Sequence, residues 1–254
     1  MGLPPIRVAY LVMAKIPRFY LPKEQFHDNK ATLTPWVQQH AMKTLRLREG
    51  DRLILFDGTG IEYETVIVTE NQTYAALIEK TSPGLPEVHP KIFLYQAPIK
   101  KERWEWLLEK ATELGVAAIV PLLTKFVEVD VTQNFDKKKE RWENIVQSAC
   151  EQSGRGFLPQ ILNPQSFNEA VEKARGKRIL FYEGEATPLQ SLMGEIAQAS
   201  ELSLFIGPEG GFSDEEVRLV RSREIPVVSL GTQTLRAETA AMAALSICYS
   251  LKSQ

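Results

Sequence analysis

The stretch IGPEGGFSDEE, residues 206–216, ends an apolar run and starts a polar one. The run ELSLFIG before it has the length and composition of a buried strand, and a glycine-rich turn follows at residues 207–211. Ser213 and Glu216 then have the spacing of a capping box at a helix N-terminus. A strand, a glycine-rich turn and a helix in this order are typical of α/β folds that bind nucleotides.

The turn itself is acidic, because Glu209 stands where a phosphate site would favour a lysine. Neither G-x-x-x-x-G-K-[ST] nor G-x-G-x-x-G occurs in the sequence. An acidic turn repels a triphosphate but tolerates a cofactor without phosphate and with a positive centre, and S-adenosylmethionine fits that description. From the residues alone, an equally open interpretation is that the turn merely joins a strand to a capped helix.

The segments around this turn alternate between strand-like and helix-like patterns. Short apolar runs predict strands at KIFLYQA, VAAIVPLL, KRILFYE, ELSLFIG and IPVVSLG. Helical periodicity predicts helices at KKERWEWLLEKATELG, KKKERWENIVQSACEQSG, SDEEVRLVRSR and AETAAMAALSICYSL. Strands bounded by helices predict an α/β fold with a mostly parallel sheet that is covered on both faces.

The first third of the chain follows another pattern. DRLILFDGTGIEYETVIVTE predicts a hairpin around residues 58–60, TYAALIEK a further strand, and TPWVQQHAMKTLRL a short helix. TSPGLPEVHP, with three prolines and a glycine, predicts a linker. We therefore expect domains at 1–80 and 91–254 with a linker at 81–90, and residues 1–16 are a possible extension because Met13 is an alternative start.

The overall composition excludes few classes of function. The chain has 254 residues with 30 Lys and Arg against 32 Asp and Glu, so the net charge of −2 neither favours nor excludes a nucleic-acid partner. Cys150 and Cys248 lie in apolar helical contexts and are predicted to be buried free thiols. No zinc-type spacing, no span-length apolar run and no signal-peptide cleavage site is present. These patterns predict a cytoplasmic protein with no metal and no membrane partner.

A second unusual element is SLGTQTLRAETAAMAAL, residues 229–245, where the last strand turns into the last helix. Glu238 and Thr239 suit a helix N-terminus, so capping is one interpretation of both residues. Arg236 does not, because a cation opposes the helix dipole there. A functional guanidinium is therefore the favoured interpretation of Arg236.

These two elements together closely resemble the RsmE family of ribosomal RNA methyltransferases in the SPOUT superfamily. EKATELGVAAIVPL, ACEQSGRGFLPQI and IPRFYL…HAMKTLRLREGDRLILFDGTG agree with the same family, so that the resemblance covers about residues 17–254. It implies a SPOUT-type parallel sheet with a C-terminal deep trefoil knot, an N-terminal PUA-like β-barrel, and a homodimer.

The implied reaction is S-adenosylmethionine-dependent methylation of N3 of a uridine in 16S rRNA, on the rRNA itself or on the small ribosomal subunit. Methylation of another RNA such as tRNA, or RNA binding without catalysis, are the alternatives. The resemblance makes Arg236 a catalytic residue, and Glu238 a candidate general base for which capping stays equally open. It places the cofactor in three strand-end loops, with contacts at Tyr182, Glu183, Ile206, Gly207, Pro208, Glu209, Gly210, Gly211, Leu230, Gly231, Leu235, Arg236 and Thr239.

RNA contacts are implied at Arg18, Phe19, His40 and Arg46, which match the family's N-terminal motifs, although a packed position is the alternative for His40. We expect Gln152 and Arg155 to bind RNA as well, because Gly154 and Gly156 would expose the arginine in a loop. One departure is Lys125, in a segment where the family often has a Ser/Thr-x-Arg-Ser pattern, and this leaves its role open.

Overall fold

The computed structural model describes residues 16–70 and 73–251. The described chain divides into two compact units, an N-terminal unit of residues 16–57 and 61–83 and a C-terminal unit of residues 58–60 and 84–251. The predicted linker begins inside a strand, because residues 81–83 continue the last strand of the N-terminal unit. The predicted extension, residues 1–16, lies outside the described residues except for its last position.

The N-terminal unit is built on a six-stranded mixed sheet in the order β1-β4-β5-β6-β3-β2. The predicted hairpin and third strand are β4, β5 and β6, which pair antiparallel. The strands are β1 Arg18–Tyr20, β2 Phe26–His27, β3 Lys30–Thr32, β4 Arg52–Phe56, β5 Ile61–Glu70 and β6 Thr73–Pro83.

The predicted short helix of this unit is α1, Pro35–Gln38, which continues into a wider π-helical turn at Gln39–Thr44. The Thr34 side chain caps its N-terminus by accepting a hydrogen bond from the Val37 N–H. Val37 and Ala41 are buried in the core of the unit, which fixes the helix against the sheet.

The C-terminal unit contains the predicted parallel sheet, in the order β10-β8-β7-β13-β11-β14-β12 with β9 beside β8. Every strand pair among its described residues is parallel. The strands are β7 Lys91–Gln96, β8 Ala118–Leu123, β9 Gln160–Ile161, β10 Gln165–Ser166, β11 Lys177–Phe181, β12 Thr187–Pro188, β13 Glu201–Ile206 and β14 Val227–Ser229.

Helices cover both faces of this sheet. Alternate residues of one strand enter different cores: Leu204 of β13 packs with the helices of one face and Phe205 with those of the other. These helices bury apolar side chains against the sheet, among them Trp104, Trp142 and Leu245. The helices are α2 Lys101–Glu113, α3 Phe135–Ser153, α4 Phe167–Lys173, α5 Met193–Gln198, α6 Asp214–Ser222 and α7 Ala237–Ser250.

Strands β13, β11 and β14 are neighbours in this order and run parallel, so their carboxyl ends meet at one edge of the sheet. The three loops predicted to bind the cofactor start at that edge. The trefoil knot stays a prediction, because strand order does not define how the chain is threaded.

Candidate cofactor pocket and active site

A cavity of about 270 Å³ opens where β11, β13 and β14 end. Most of the predicted cofactor residues line it: Tyr182, Glu183, Ile206, Gly207, Pro208, Glu209, Gly211, Leu230, Gly231, Leu235 and Arg236. Six further lining residues were not among the predicted contact residues: Phe181, Thr232, Gln233, Thr234, Ala237 and Ala240. Of these, Phe181 lies at the first of the predicted strand ends, and Thr232, Gln233 and Thr234 lie inside the third predicted loop, which runs from Leu230 through Leu235.

The glycine-rich turn closes on itself and on the first loop. The Gly211 N–H donates to the Pro208 carbonyl at 3.0 Å, and Gly211 has a φ of +69°, which favours glycine. A Cβ at Gly211 would overlap the Glu183 carboxylate, and a Cβ at Gly207 would lie 3.2 Å from the Gly211 carbonyl carbon. Gly211 therefore leaves room for the Glu183 carboxylate, and Gly207 allows the two ends of the turn to lie close together.

Gly210 and Thr239, by contrast, do not belong to the lining of this cavity. A Cβ at Gly210 would lie 3.0 Å from Cβ of Phe126, so this glycine allows the turn to pack against the loop that follows β8. Thr239 is exposed on the first turn of α7. A cofactor contact at either residue stays a prediction.

The capping box at the start of α6 is confirmed. Oε2 of Glu216 accepts hydrogen bonds from the N–H of Ser213 at 2.8 Å and from its Oγ at 3.0 Å. Oε1 of Glu216 also accepts the Lys125 N–H at 2.9 Å, while Nζ of Lys125 donates to Glu215 at 2.9 Å. Lys125, which departs from the family pattern, is thereby held against the N-terminus of α6. The hydrogen bond from Lys125 lowers the pKa of the Glu215 carboxyl.

Arg236 is the N-cap residue of α7, and its carbonyl accepts the Ala240 N–H at 2.8 Å. Its side chain is exposed, lines the cavity and has no carboxylate partner among the described residues. The cation that opposes the helix dipole therefore has no structural partner in this part of the chain. This leaves the guanidinium available to a ligand.

Glu238, the proposed general base, is buried near the start of α7 and is not part of the cavity lining. Its Oε1 lies 3.6 Å from Nε of Arg103, and Nη1 of the same arginine lies 3.6 Å from Oε1 of Glu209. Oε2 of Glu238 is buried without a hydrogen-bond partner in the described part of the chain. Arg103 of α2 thus lies between the glycine-rich turn and α7.

Gln96, at the end of β7, is a second residue that the sequence analysis missed. It is fully buried, and its Nε2 donates to the Ala97 carbonyl at 2.9 Å and to the Gly207 carbonyl at 3.3 Å. This amide holds the first carbonyl of the glycine-rich turn. The sequence signal was a glutamine that ends an otherwise apolar strand.

Two of the residues implied to bind RNA are structural in this chain. The Arg18 side chain is 8% exposed, pairs with Glu62 at 2.9 Å and lies 5.2 Å above the Phe56 ring, while Phe19 is a core residue. His40 is half-buried, so part of its side chain is packed, as the alternative interpretation expected. Arg46 is exposed and has a φ of +59°. An RNA contact at Arg18 or Phe19 stays a prediction.

The expectation that glycines expose Arg155 in a loop is wrong. Its Nη1 donates to the Thr112 carbonyl at 2.7 Å and to the Val116 carbonyl at 3.0 Å, and burial lowers the pKa of its guanidinium. Gly154, with a φ of +83°, ends α3 and turns the chain inward. Arg155 therefore holds the carbonyls around the end of α2, whereas Gln152 is exposed on the last turn of α3.

Both cysteines are buried thiols that form no disulfide with each other, as predicted, and burial raises the pKa of the Cys248 thiol to about 12. Among residues 16–70 and 73–251 there is no cluster of three or more His, Cys, Asp or Glu side chains that could hold a metal ion. The helices in those ranges are too short or too polar to cross a membrane.

Known proteins match the chain over both units. Residues 86–249 match the family described as an RNA methyltransferase domain, and residues 37–79 match the RNA methyltransferase PUA domain. The Ribosomal RNA small subunit methyltransferase E of Synechocystis is 33% identical, with 90% of this chain and 76% of that protein covered. The Bacillus subtilis protein of the same name is 29% identical, with 89% and 92% covered.

Solved structures of related proteins have the same fold as this chain. The Neisseria gonorrhoeae Ribosomal RNA small subunit methyltransferase E bound to S-adenosyl methionine superposes with a TM-score of 0.82 at 29% identity, covering 93% of this chain and 98% of that one. A Legionella pneumophila chain solved with bound S-adenosylmethionine superposes with a TM-score of 0.85 at 34% identity and the same coverage.

A parallel α/β sheet with a glycine-rich pocket at its strand ends, preceded by a PUA-type unit, defines an RNA methyltransferase. The similarity extends over nearly the whole chain and over most of each relative. The chain belongs to the ribosomal RNA small subunit methyltransferase E (RsmE) family.

Proposed function

We propose that this protein transfers the methyl group of S-adenosylmethionine to N3 of a uridine in the 16S rRNA of the small ribosomal subunit. The observation that carries the proposal is the cavity at the ends of β11, β13 and β14, where Arg236 has no carboxylate partner among the described residues and meets an acidic, glycine-rich lining. Two relatives solved with the same cofactor support it.

The lining suits a cofactor that has a positive centre and no phosphate. Glu183 and Glu209 supply carboxylates that attract a sulfonium or accept hydrogen bonds from ribose hydroxyls, and no lysine belongs to the described lining. The glycines of the turn allow backbone groups to approach a ligand closely. When bound, S-adenosylmethionine supplies an electrophilic methyl group.

Arg236 is the residue that we propose stabilises the charge formed when uracil N3 loses its proton. Uracil N3 carries a proton at neutral pH and is a poor nucleophile, so negative charge develops on the uracil carbonyl oxygens as that proton leaves. A guanidinium beside those oxygens stabilises the charge as it forms. Glu238 is the proposed acceptor of the proton, which requires its carboxylate to turn from Arg103 towards the substrate.

The decisive experiment is mass spectrometry of rRNA from a deletion strain that carries either the wild-type gene or Arg236→Ala. We expect one N3-methyluridine to disappear on deletion and to return with the wild-type gene alone. Arg218→Ala is the matched control, because Arg218 is an exposed arginine of α6 whose ion-pair partner is Glu215. An unchanged methyluridine in the deletion strain would refute the proposal.

Measurements on the purified protein distinguish cofactor binding from catalysis. Loss of one transition-state donor costs about 100- to 1,000-fold in kcat, so Arg236→Ala should lose at least that much. Because Arg236 also lines the cofactor cavity, the Kd for S-adenosylmethionine is measured separately, so that a loss of binding is not counted as a loss of catalysis. Absence of binding at millimolar cofactor in calorimetry would favour RNA binding without catalysis. Methylation of tRNA rather than small-subunit rRNA would favour the other alternative.

The same proposal includes a cytoplasmic homodimer, with the trefoil knot and α7 at the interface and with domains near 1–80 and 91–254. Leu235, just before the N-cap of α7, and Tyr249, in its last turn, are large apolar residues that are 37% and 39% exposed in the single chain. Apolar side chains of this size favour an interface. Sedimentation equilibrium at micromolar concentration should give twice the 28.7 kDa chain mass, and a monomer would contradict the proposed dimer.

A further inference from the structure

Gln96 is a fully buried glutamine at the end of β7. Glutamine is seldom buried completely, because its amide then has to find partners for two N–H donors and one acceptor. In the register of β7 against β13, Gln96 lies beside Ile206, the residue that leads into the glycine-rich turn. A buried amide therefore lies at the base of the turn that borders the cofactor cavity.

The hydrogen-bond ladder between β7 and β13 is interrupted at this point by a proline. The Ala97 N–H donates to the Ile206 carbonyl at 2.9 Å. In a parallel ladder the next bond would run from the N–H of residue 208 to the Ala97 carbonyl, but Pro208 has no N–H. Because Ala97 has no exposed surface, its carbonyl needs another donor.

The side chain of Gln96 supplies that donor and also holds the turn. Its Nε2 donates to the Ala97 carbonyl at 2.9 Å and to the Gly207 carbonyl at 3.3 Å, so that two acceptors match the two N–H groups of the amide. These carbonyls fix the orientation of the amide, because the reversed amide would set Oε1 against two carbonyl oxygens. Oε1 of Gln96 is buried and has no hydrogen-bond partner in the described part of the chain.

Packing alone does not favour a glutamine at this position. A buried acceptor without a partner is unfavourable, and an apolar side chain of similar size would avoid it. Such a side chain would, however, leave the Ala97 and Gly207 carbonyls without their donor. Gly207 lines the cofactor cavity, so its carbonyl could regain a hydrogen bond by turning towards the solvent there, and this would change the shape of the turn.

We propose that Gln96 is a positioning residue for the cofactor, whose amide holds the Gly207 carbonyl so that the glycine-rich turn keeps the shape that receives S-adenosylmethionine. Gln96 is not one of the residues that line the cavity, so it acts through Gly207 and not by contact with the cofactor. The inference rests on the proposed function only where rRNA methylation serves as a readout.

The test is calorimetry of S-adenosylmethionine binding to the full-length protein and to Gln96→Met. One neutral hydrogen bond corresponds to about 2- to 13-fold in an equilibrium constant, and we expect the Kd of Gln96→Met to rise by a factor in this range. In steady-state methylation the KM for the cofactor should rise with it, while kcat at saturating cofactor and the KM for RNA stay at the wild-type values.

Ser203→Ala is the matched control for a general loss of stability. Ser203 is a fully buried polar residue of β13, and its Oγ donates to the Arg175 carbonyl at 2.7 Å. The substitution removes a buried hydrogen bond from the same sheet without changing a contact of the turn. Ser203→Ala should therefore unfold at a lower urea concentration than the wild type and bind S-adenosylmethionine with the wild-type Kd.

Gln96→Glu tests whether the donated hydrogen matters and not the volume of the side chain. A carboxylate has no donor, whereas a protonated carboxyl has one O–H. The Kd of Gln96→Glu, divided by that of the wild type, should therefore be larger at pH 8 than at pH 6, while the same ratio for Gln96→Met should not depend on pH. If Gln96→Met does not fold, the pH dependence of Gln96→Glu decides.

Four results would contradict the proposal. The first is a wild-type Kd in Gln96→Met, and the second is an equal rise in Kd in Ser203→Ala, which would indicate a general loss of stability. The third is a lower kcat at saturating cofactor with an unchanged Kd, which would give Gln96 a direct part in catalysis. The fourth is a Kd ratio for Gln96→Glu that is the same at both pH values.

These outcomes are independent of the proposed function. If the wild-type protein methylates no rRNA but Gln96→Met binds S-adenosylmethionine more weakly, the positioning role stands and the function fails. If rRNA is methylated normally and Gln96→Met binds the cofactor as the wild type does, the function stands and the positioning role fails.

Discussion

Replacing Arg155 with methionine tests whether this residue anchors the fold or binds RNA. The substitution keeps an unbranched apolar stem and removes the guanidinium. In the native chain that guanidinium donates to the Thr112 and Val116 carbonyls at 2.7 and 3.0 Å. Both carbonyls lie around the end of α2, where helix carbonyls have no partner within the helix.

The expected loss follows from these two bonds. Hydrogen bonds from a charged donor contribute about 1.5–3 kcal/mol each, so two contribute about 3–6 kcal/mol. Two effects reduce this loss of stability. The Thr112 carbonyl keeps a hydrogen bond from the Gly115 N–H at 3.0 Å, and the variant no longer has to desolvate the guanidinium charge when it folds. We therefore expect Arg155→Met to lower the free energy of unfolding by about 2–4 kcal/mol.

Urea unfolding followed by tryptophan emission measures this, because the buried Trp104 and Trp142 report on α2 and α3. Arg141→Met is the control: this exposed arginine forms a bidentate pair with Glu105, and its loss should cost less than about 1 kcal/mol. The anchoring role is refuted if Arg155→Met unfolds like the wild type, and an accompanying loss of RNA affinity would restore the RNA-contact interpretation.

Three further predictions concern the site and the core. Gly211→Ala should weaken binding of S-adenosylmethionine in calorimetry, because the φ of +69° strains an alanine and the Glu183 carboxylate has to move away from the new Cβ, while Gly194→Ala, with open space around it, should bind normally. Arg103→Met leaves Glu238 buried without its cation and should cost about 1–3 kcal/mol in urea unfolding, and adding Glu238→Gln should recover part of that loss. Cys248 should resist iodoacetamide at pH 8 until the protein unfolds. Burial raises the pKa of its thiol from 9.0 to about 12, so the stability that this neutral thiol contributes is complete below pH 9 and is lost as the pH rises from 9 to 12. Unfolding curves measured at alkaline pH would show this loss.

The sequence predicted features that depend on neighbours along the chain. The capping box of Ser213 and Glu216 needs residues three apart, and the strand that ends at Ile206 was visible as a continuous apolar run because both of its faces are buried. The parallel order of β11, β13 and β14 then brings their loops together, which made most of the pocket lining predictable.

Features that depend on distant partners were not predictable from a single sequence. Arg103 joins Glu209 and Glu238, which follow it by more than a hundred positions. Arg155 was misjudged for the same reason, since the flanking glycines indicate a turn but not the direction of the side chain between them. Trp36 is exposed because of how α1 packs against its sheet, although helical spacing allowed it to face inward.

Arg103 also changes the role that Glu209 can have in the pocket. Glu209 lines the cavity and is exposed, and its Oε1 lies 3.6 Å from Nη1 of Arg103, so part of its charge is compensated before any ligand binds. Glu183 has no such cation in the described chain and packs directly over Gly211. Since an uncompensated carboxylate attracts a sulfonium more strongly than a paired one, we propose that selection against phosphate and for a positive cofactor rests more on Glu183. In this proposal Glu209 contributes mainly by connecting the glycine-rich turn, through Arg103, to the helix that begins beside Arg236.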